Sequence, residues 1–279
     1  MRLFNRVVII GLGLIGGSLG LAIKDRRLAK EVAGISRRKG TIRKALAMKV
    51  VDSATLDLKK GVRGADFVII AAPVFKIVGI AEIIAPLLKK GAILTDAGST
   101  KRYITDNVES FIPRGVYFVG SHPMAGSEKS GVAHADKGLF KGGFCVLTKT
   151  KGTHPAALNK IKRFWSGLGM KTVIMSPERH DKAVSRISHL PHGVAASLVN
   201  SLGKPDLYLA AGGLKDTTRI ASGEPELWKD IFLTNRENLI NDIRVFKRNL
   251  SGVELALKNN DEAGLLKILS RAKLTRDTL

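Results

Sequence analysis

The apolar run Val7-Val8-Ile9-Ile10 passes directly into Gly11-Leu12-Gly13-Leu14-Ile15-Gly16, and this junction limits the possible folds more than any other stretch of the chain. Consecutive Val and Ile read as a short buried strand, and the residues after Gly16 read as a helix. The first glycine permits the tight turn. The second removes a side chain where a pyrophosphate must approach, and the third lets helix and strand pack closely. The helix N-terminus then turns free N–H groups and partial positive charge toward the phosphates. Glycines at this spacing are weak evidence alone, but between a strand and a helix at the head of a chain they predict a dinucleotide turn formed by Gly11, Leu12, Gly13, Leu14, Ile15 and Gly16. The same stretch is no membrane span, because glycines and Ser18 interrupt it. Nor does it read as a signal peptide, since the charged run Lys24-Asp25-Arg26-Arg27 follows it in place of a cleavage site.

Further apolar runs follow at Glu31–Ile35, Asp66–Ala71, Ala92–Asp96, Val116–Val119, Phe144–Thr148 and Lys171–Met175, with helix-like stretches between most of them. Strands alternating with helices predict a parallel sheet covered on both faces. After Met175 the strand signals stop. Ser176-Pro177-Glu178 reads as a helix start, with Ser as cap and Pro at the first helical position. The expected fold class is therefore α/β: a Rossmann-type doubly wound parallel sheet over residues 1–175, then an all-helical substrate-binding and dimerisation domain over 176–279. A length of 279 residues suits two domains.

The second strand leads into Gly34-Ile35-Ser36-Arg37-Arg38-Lys39, with no carboxylate where NAD sites place one for the ribose hydroxyls. Ser36, Arg37 and Arg38 can bind a 2′-phosphate that an acid would repel, which predicts NADP in preference to NAD. The single cysteine, Cys145, excludes an internal disulfide and fits a cytoplasmic protein. The six histidines lack the paired spacing of a metal site, so no metal is expected. Forty-six Lys and Arg against 24 Asp and Glu leave a net charge of +22. The cations are spread along the chain without a basic stripe interleaved with aromatics, which reads as a solvated surface rather than a nucleic-acid interface.

Four further segments carry chemistry: Thr95-Asp96-Ala97-Gly98-Ser99-Thr100-Lys101, Gly120-Ser121-His122-Pro123-Met124-Ala125-Gly126-Ser127-Glu128, Ser188-His189-Leu190-Pro191-His192, and Gly212 to Ala221 with Lys215-Asp216-Thr217-Thr218-Arg219 inside it. With the glycine turn, and in this order, they resemble the prephenate/arogenate dehydrogenase family of tyrosine biosynthesis along nearly the whole chain. The resemblance implies a metal-free oxidative decarboxylation of a cyclohexadienol that carries two carboxylates.

His122 suits the general base, because it follows a strand at the carboxyl edge of the sheet and imidazole titrates near neutral pH. The resemblance implies the same role. It also implies that Ser99 bonds the substrate hydroxyl and the catalytic histidine, with a cap of the helix that follows as the lesser reading, compatible with the first through different atoms. Arg219 and Lys215, four apart, share a face if that segment is helical. The resemblance makes Arg219 the carboxylate ligand and Lys215 its helper, with a solvated surface lysine as the alternative for Lys215. It further implies that His192 contacts the substrate, that Ser188 supports the pocket and that Glu128 forms a gating ion pair. Trp228 reads as a pocket cover or as core packing. His192 favours prephenate over arogenate, since some arogenate-specific relatives lack a histidine there. The other readings are an arogenate dehydrogenase, a β-hydroxyacid dehydrogenase, and a non-catalytic cofactor sensor that binds nucleic acid. The apolar excess of Leu227–Leu250 and Leu255–Leu269 predicts a homodimer. Without a mutase-like or regulatory extension, a monofunctional enzyme is expected.

Overall fold

The computed structural model describes residues 2–126 and 129–278, with residues 204–206 described by their backbone alone. Six parallel strands form the first sheet: β1 (Phe4–Ile10), β2 (Ala29–Ile35), β3 (Ser53–Thr55), β4 (Phe67–Ile70), β5 (Ile93–Asp96) and β6 (Tyr117–Val119). Their order is β3-β2-β1-β4-β5-β6, so the order reverses beside β1, where a ligand crevice opens at the carboxyl ends of the strands. Alternation along β1 feeds both faces. Val7 and Ile9 enter the core beneath α1 (Leu14–Asp25) and α6 (Pro155–Gly167). Val8 and Ile10 enter the core beneath α4 (Val74–Ile84) and α5 (Arg102–Phe111). Both sides are dry, which is why the strands read as unbroken apolar runs rather than as alternating ones.

The sheet does not continue through all the expected strands. β7 (Ser121–Met124), β8 (Phe144–Thr148) and β9 (Lys171–Met175) form a separate three-stranded sheet, in which β7 runs antiparallel to β8. His122, expected just after a strand of the first sheet, thus lies within a strand of the second, paired to Val146. Gly120 makes the switch between sheets. A Cβ there would stand 2.4 Å from Thr148 Oγ1, so the backbone of β8 could not come this close to a larger residue.

Ser176 caps α7 (Pro177–Val184) by accepting the N–H of Arg179. α7 then runs through a π-helical turn, Ser185–His189, into α8 (Leu190–Asn200). Pro191 lies in the first turn of α8, and its missing N–H breaks the ordinary ladder there. α9 (Gly212–Thr218) ends before Arg219, which begins a 3₁₀ turn through Ser222. Lys215 and Arg219 are thus not on one continuous helix. Three longer helices follow: α10 (Pro225–Thr234), α11 (Arg236–Lys258) and α12 (Glu262–Arg276). Among the described residues no helix is long and apolar enough to cross a membrane.

The contact that fixes β1 against α1 is that of Gly16 on Gly11. A Cβ on Gly16 would lie 1.8 Å from the Gly11 carbonyl oxygen. Gly16→Ala should lower the unfolding free energy by about 1–3 kcal/mol, the usual cost of overpacking. Urea denaturation beside the parent protein measures it, and an unchanged midpoint would contradict the packing argument.

Candidate active site

Two cavities open at the carboxyl edge of the first sheet. One, of about 440 Å³, is lined by Gly11, Leu12 and Gly13, by Ser36, Arg37, Arg38 and Thr41, and by residues following β4. Gly11 has φ of +96° and donates its N–H to Ile35, tying the turn to β2. A Cβ on Gly13 would meet nothing within 4 Å, which leaves the backbone open to a ligand. Gly13 also stands at the head of α1 without a side-chain cap. Open backbone N–H groups at a helix start suit a pyrophosphate, so the residues present fit a dinucleotide. Leu14, Ile15 and Gly16 form the first turn of α1 and are not part of the cavity wall. Among the described residues, no carboxylate lines this cavity.

The second cavity, of about 580 Å³, lies between the sheets and the helical half. Ser99, His122, Ser188 and Arg219 all line it, so four of the predicted residues come together from four separate segments. Lys215 is exposed and does not line it. His192 is buried outside the wall, stacked on Trp228 at 3.6 Å between ring centroids, and Trp228 itself faces the cavity. Glu128 lies outside the described residues. Ser99 is not the cap of α5, which uses no capping side chain of its own.

Sequence reasoning missed the residues that support His122. Asp181 on α7 accepts the N–H of Lys101 at 2.7 Å and that of Arg102 at 3.0 Å, so it caps α5 from a different element. Asp181 also meets Nδ1 of His180 at 2.7 Å, and Nε2 of His180 lies 2.8 Å from Nδ1 of His122. These contacts fix the tautomers. A carboxylate only accepts, so His180 donates from Nδ1 and accepts at Nε2. His122 then donates from Nδ1, which leaves the lone pair on Nε2, the nitrogen a base needs. Burial pushes the proton affinity of His122 well below that of an ordinary histidine, and His180 and Lys101 add to the effect. The ring is therefore neutral and able to take a proton.

His189 also lines the cavity. Its Nδ1 faces the side-chain amide of Asn235 at 3.1 Å, and burial lowers its pKa to about 4. It stays neutral at ordinary pH. Glu224, Lys129 and Trp228 complete the polar and aromatic wall. No spacing rule links His180-Asp181 to His122, 58 residues away, so only the folded arrangement reveals the pair. Among the described residues, no group of three or more His, Cys, Asp or Glu could hold a metal ion.

Comparison with known proteins agrees with this geometry. Residues 19–174 match the nucleotide-binding domain of prephenate dehydrogenase, and residues 176–271 match its dimerization domain. The chain belongs to the prephenate dehydrogenase family. It is 38% identical to prephenate dehydrogenase of Bacillus subtilis over 282 residues, covering 99% of this chain and 76% of that protein. The crystal structure of prephenate dehydrogenase from A. aeolicus with hydroxyphenyl propionate and NAD+ superposes with a TM-score of 0.92 at 34% identity, covering 98% of both chains. Arogenate dehydrogenase from Synechocystis superposes with a TM-score of 0.83 at 31% identity, covering 98% of this chain and 99% of that one. The chain is thus an oxidoreductase that uses a nicotinamide cofactor.

Replacing His122 with Asn removes the base nitrogen while keeping the shape and the donor to His180. Turnover should fall about 10²–10⁴-fold, with KM for the substrate changed only a few-fold. The lowered proton affinity places the acidic limb of kcat/KM below pH 6.5, because only protonated His122 is inactive and it protonates late. Turnover near the parent level, or a limb above pH 6.5, would contradict the assignment.

Proposed function

We propose that this protein oxidatively decarboxylates prephenate to 4-hydroxyphenylpyruvate, with His122 as general base and Ser99 beside it at the substrate hydroxyl. The observation that carries this reading is the neutral His122, held by His180 and Asp181, in one cavity with Ser99 and Arg219. The substrate's C4 hydroxyl gives its proton to His122 Nε2. A nicotinamide dinucleotide bound at the glycine turn supplies the acceptor for the C4 hydride. The C1–carboxylate bond then breaks, its electron pair enters the ring, and carbon dioxide leaves behind a phenolate, which takes the proton back from His122 to become the aromatic phenol. Aromatisation drives the step, so the protein has to orient the ring, receive one proton and hold two anions. Arg219, with a planar guanidinium, suits a bidentate grip on a carboxylate. Ser188 and Trp228 shape the wall, and His192 positions the Trp228 ring by stacking.

Ser36, Arg37, Arg38 and Thr41 at the far end of the cofactor cavity support a preference for NADP. Arogenate is the second substrate reading, because Glu224 offers a carboxylate in the cavity wall that an ammonium group could meet. The helical half, beginning at Ser176, is read as the pairing surface of a homodimer. α12 buries none of its residues within the chain, yet carries exposed Leu266, Leu269 and Leu274.

One spectrophotometric panel tests the activity: prephenate and arogenate, each with NAD and NADP. Prephenate with NADP should give the highest kcat/KM, and Arg37→Ala/Arg38→Ala should raise KM for NADP about tenfold while leaving that for NAD within twofold. A strong NAD preference would sink the cofactor reading, and turnover of arogenate alone would sink the substrate reading. Light scattering at micromolar concentration should give twice the chain mass, and a monomer would contradict the dimer.

A further inference from the structure

Asp96 and Lys101 are both 0% exposed and form a buried ion pair that lines neither cavity. A charged pair sealed in a core is costly to desolvate, and shape-matched apolar residues often replace one without loss of stability. Its hydrogen bonds indicate what it does here. Asp96 is the last residue of β5, and Oδ2 accepts both the N–H of Gly98, at 2.8 Å, and the ammonium of Lys101. Oδ1 accepts the N–H of Ser121 at 3.3 Å. Gly98 immediately precedes Ser99, and Ser121 immediately precedes His122. The backbone ladder between β5 and β6 ends at Thr95 and Val119, and beyond that point the Asp96 carboxylate joins the two segments, alongside Thr95 Oγ1, which lies 2.7 Å from Ser121 Oγ. The stem of Lys101 passes beneath Gly120, where an added Cβ would come within 3.5 Å of Lys101 Cδ.

The backbone N–H of Lys101 goes to Asp181, Asp181 to His180, and His180 to His122. His122 follows Ser121, which returns to Asp96. The contacts close into a ring through Asp96, Lys101, Asp181, His180 and His122. One buried carboxylate fixes the backbone of each catalytic segment, and the other orients His180, whose Nε2 in turn holds Nδ1 of His122.

We propose that Asp96 and Lys101 are positioning residues, which set the separation of Ser99 and His122 without touching substrate or cofactor. The proposal rests on the reading of His122 as the base. Misplacing a reacting group by about 1 Å costs on the order of a hundredfold in rate, so a clasp of this kind acts on turnover rather than on binding.

The test uses the full-length protein with Asp96→Asn/Lys101→Met, which removes both charges and avoids leaving one buried alone. Thermal unfolding and fluorescence titration with NADP establish folding and cofactor binding. The expected result is cofactor Kd and substrate KM within about threefold of the parent, with kcat lower by about thirtyfold or more. The single variants supply a readout that a purely structural role would not move. Among the described residues, the charged and titratable groups around His122 are Asp96 and Lys101 beside β5, Cys145 on β8, His180 and Asp181 on α7, His189 in the π turn, and Lys129, Arg219 and Glu224 in the cavity wall. Lys101→Met removes a cation that opposes protonation and frees the charge of Asp96, so the acidic limb of kcat/KM should move to higher pH. Asp96→Asn leaves Lys101 uncompensated and should move it to lower pH.

Parent-like kcat in the double variant would overturn the proposal, as would a loss carried wholly by KM. So would limbs that do not move in opposite directions, which can be read on the two single variants even if the double variant does not fold. His122→Asn separates the two failures. If it retains turnover, the base assignment has failed. If it loses turnover while the double variant does not, only the positioning proposal has failed.

Discussion

The buried carboxylate of Asp181 joins the helical half of the molecule to the head of α5, beside the sheet. It accepts two N–H groups at the head of α5, where the helix has no cap of its own, and it orients His180. Its backbone carbonyl accepts the amide of Asn235, which also faces His189. The cap, the histidine tautomers and the docking of α7 therefore depend on one group that is 2% exposed. Removing it would leave orphan N–H groups in a dry interior and allow both histidine rings to change tautomer. Structure and chemistry are coupled at this point because the same oxygen, Oδ1, serves the helix and the histidine.

The extent to which the sequence revealed this arrangement differs between its parts, for physical reasons. Strands β1, β2, β4 and β5 are legible because they are buried on both faces, which leaves unbroken runs of Val and Ile. β7 is not, because it is four residues long and contains Pro123, which argues against a strand. The glycine turn is legible because each glycine answers a separate steric demand. Ser99, His122, Ser188 and Arg219 are found through their motifs and do meet in one cavity, but Lys215 lies outside it, because the helix ends at Thr218 and a tighter turn carries Arg219. His180 and Asp181 carry no local signature. Their effect depends on contacts with residues 58 and 80 positions away, and no period or spacing encodes those.

The charge balance becomes clearer once the acids are located. With 24 acids against 46 cations, several of the carboxylates fasten backbone. Asp66 accepts the N–H groups of Asn5 and Arg6, and Asp52 that of Val32. Asp242 accepts from Ser185 and Arg186 and ties the π turn to α11. Asp96 and Asp181 accept backbone N–H groups around the segments that carry Ser99 and His122. Many of the cations that remain, such as Arg37, Arg38 and Lys39, are exposed, so the +22 is largely a property of the surface.

The cavity also resolves an electrostatic conflict. A substrate with two carboxylates calls for cations, and Lys129 and Arg219 line the cavity while Lys101 lies beneath it. Lys101 disfavours an imidazolium at His122, the proposed base, and cations in the cavity wall would act in the same direction. Two unit charges 4 Å apart interact by roughly 4 kcal/mol at an effective dielectric constant of 20, enough to make a lone histidine too weak a base. Two groups of anions offset this at different stages. The substrate's carboxylates neutralise the cations on binding, before any proton moves. In the proposed proton transfer, the charge of Asp181, relayed by the His180 ring, would favour the imidazolium. A histidine backed by a second histidine and a buried aspartate is thus the arrangement that the proposed base chemistry calls for in a pocket that takes a dianion.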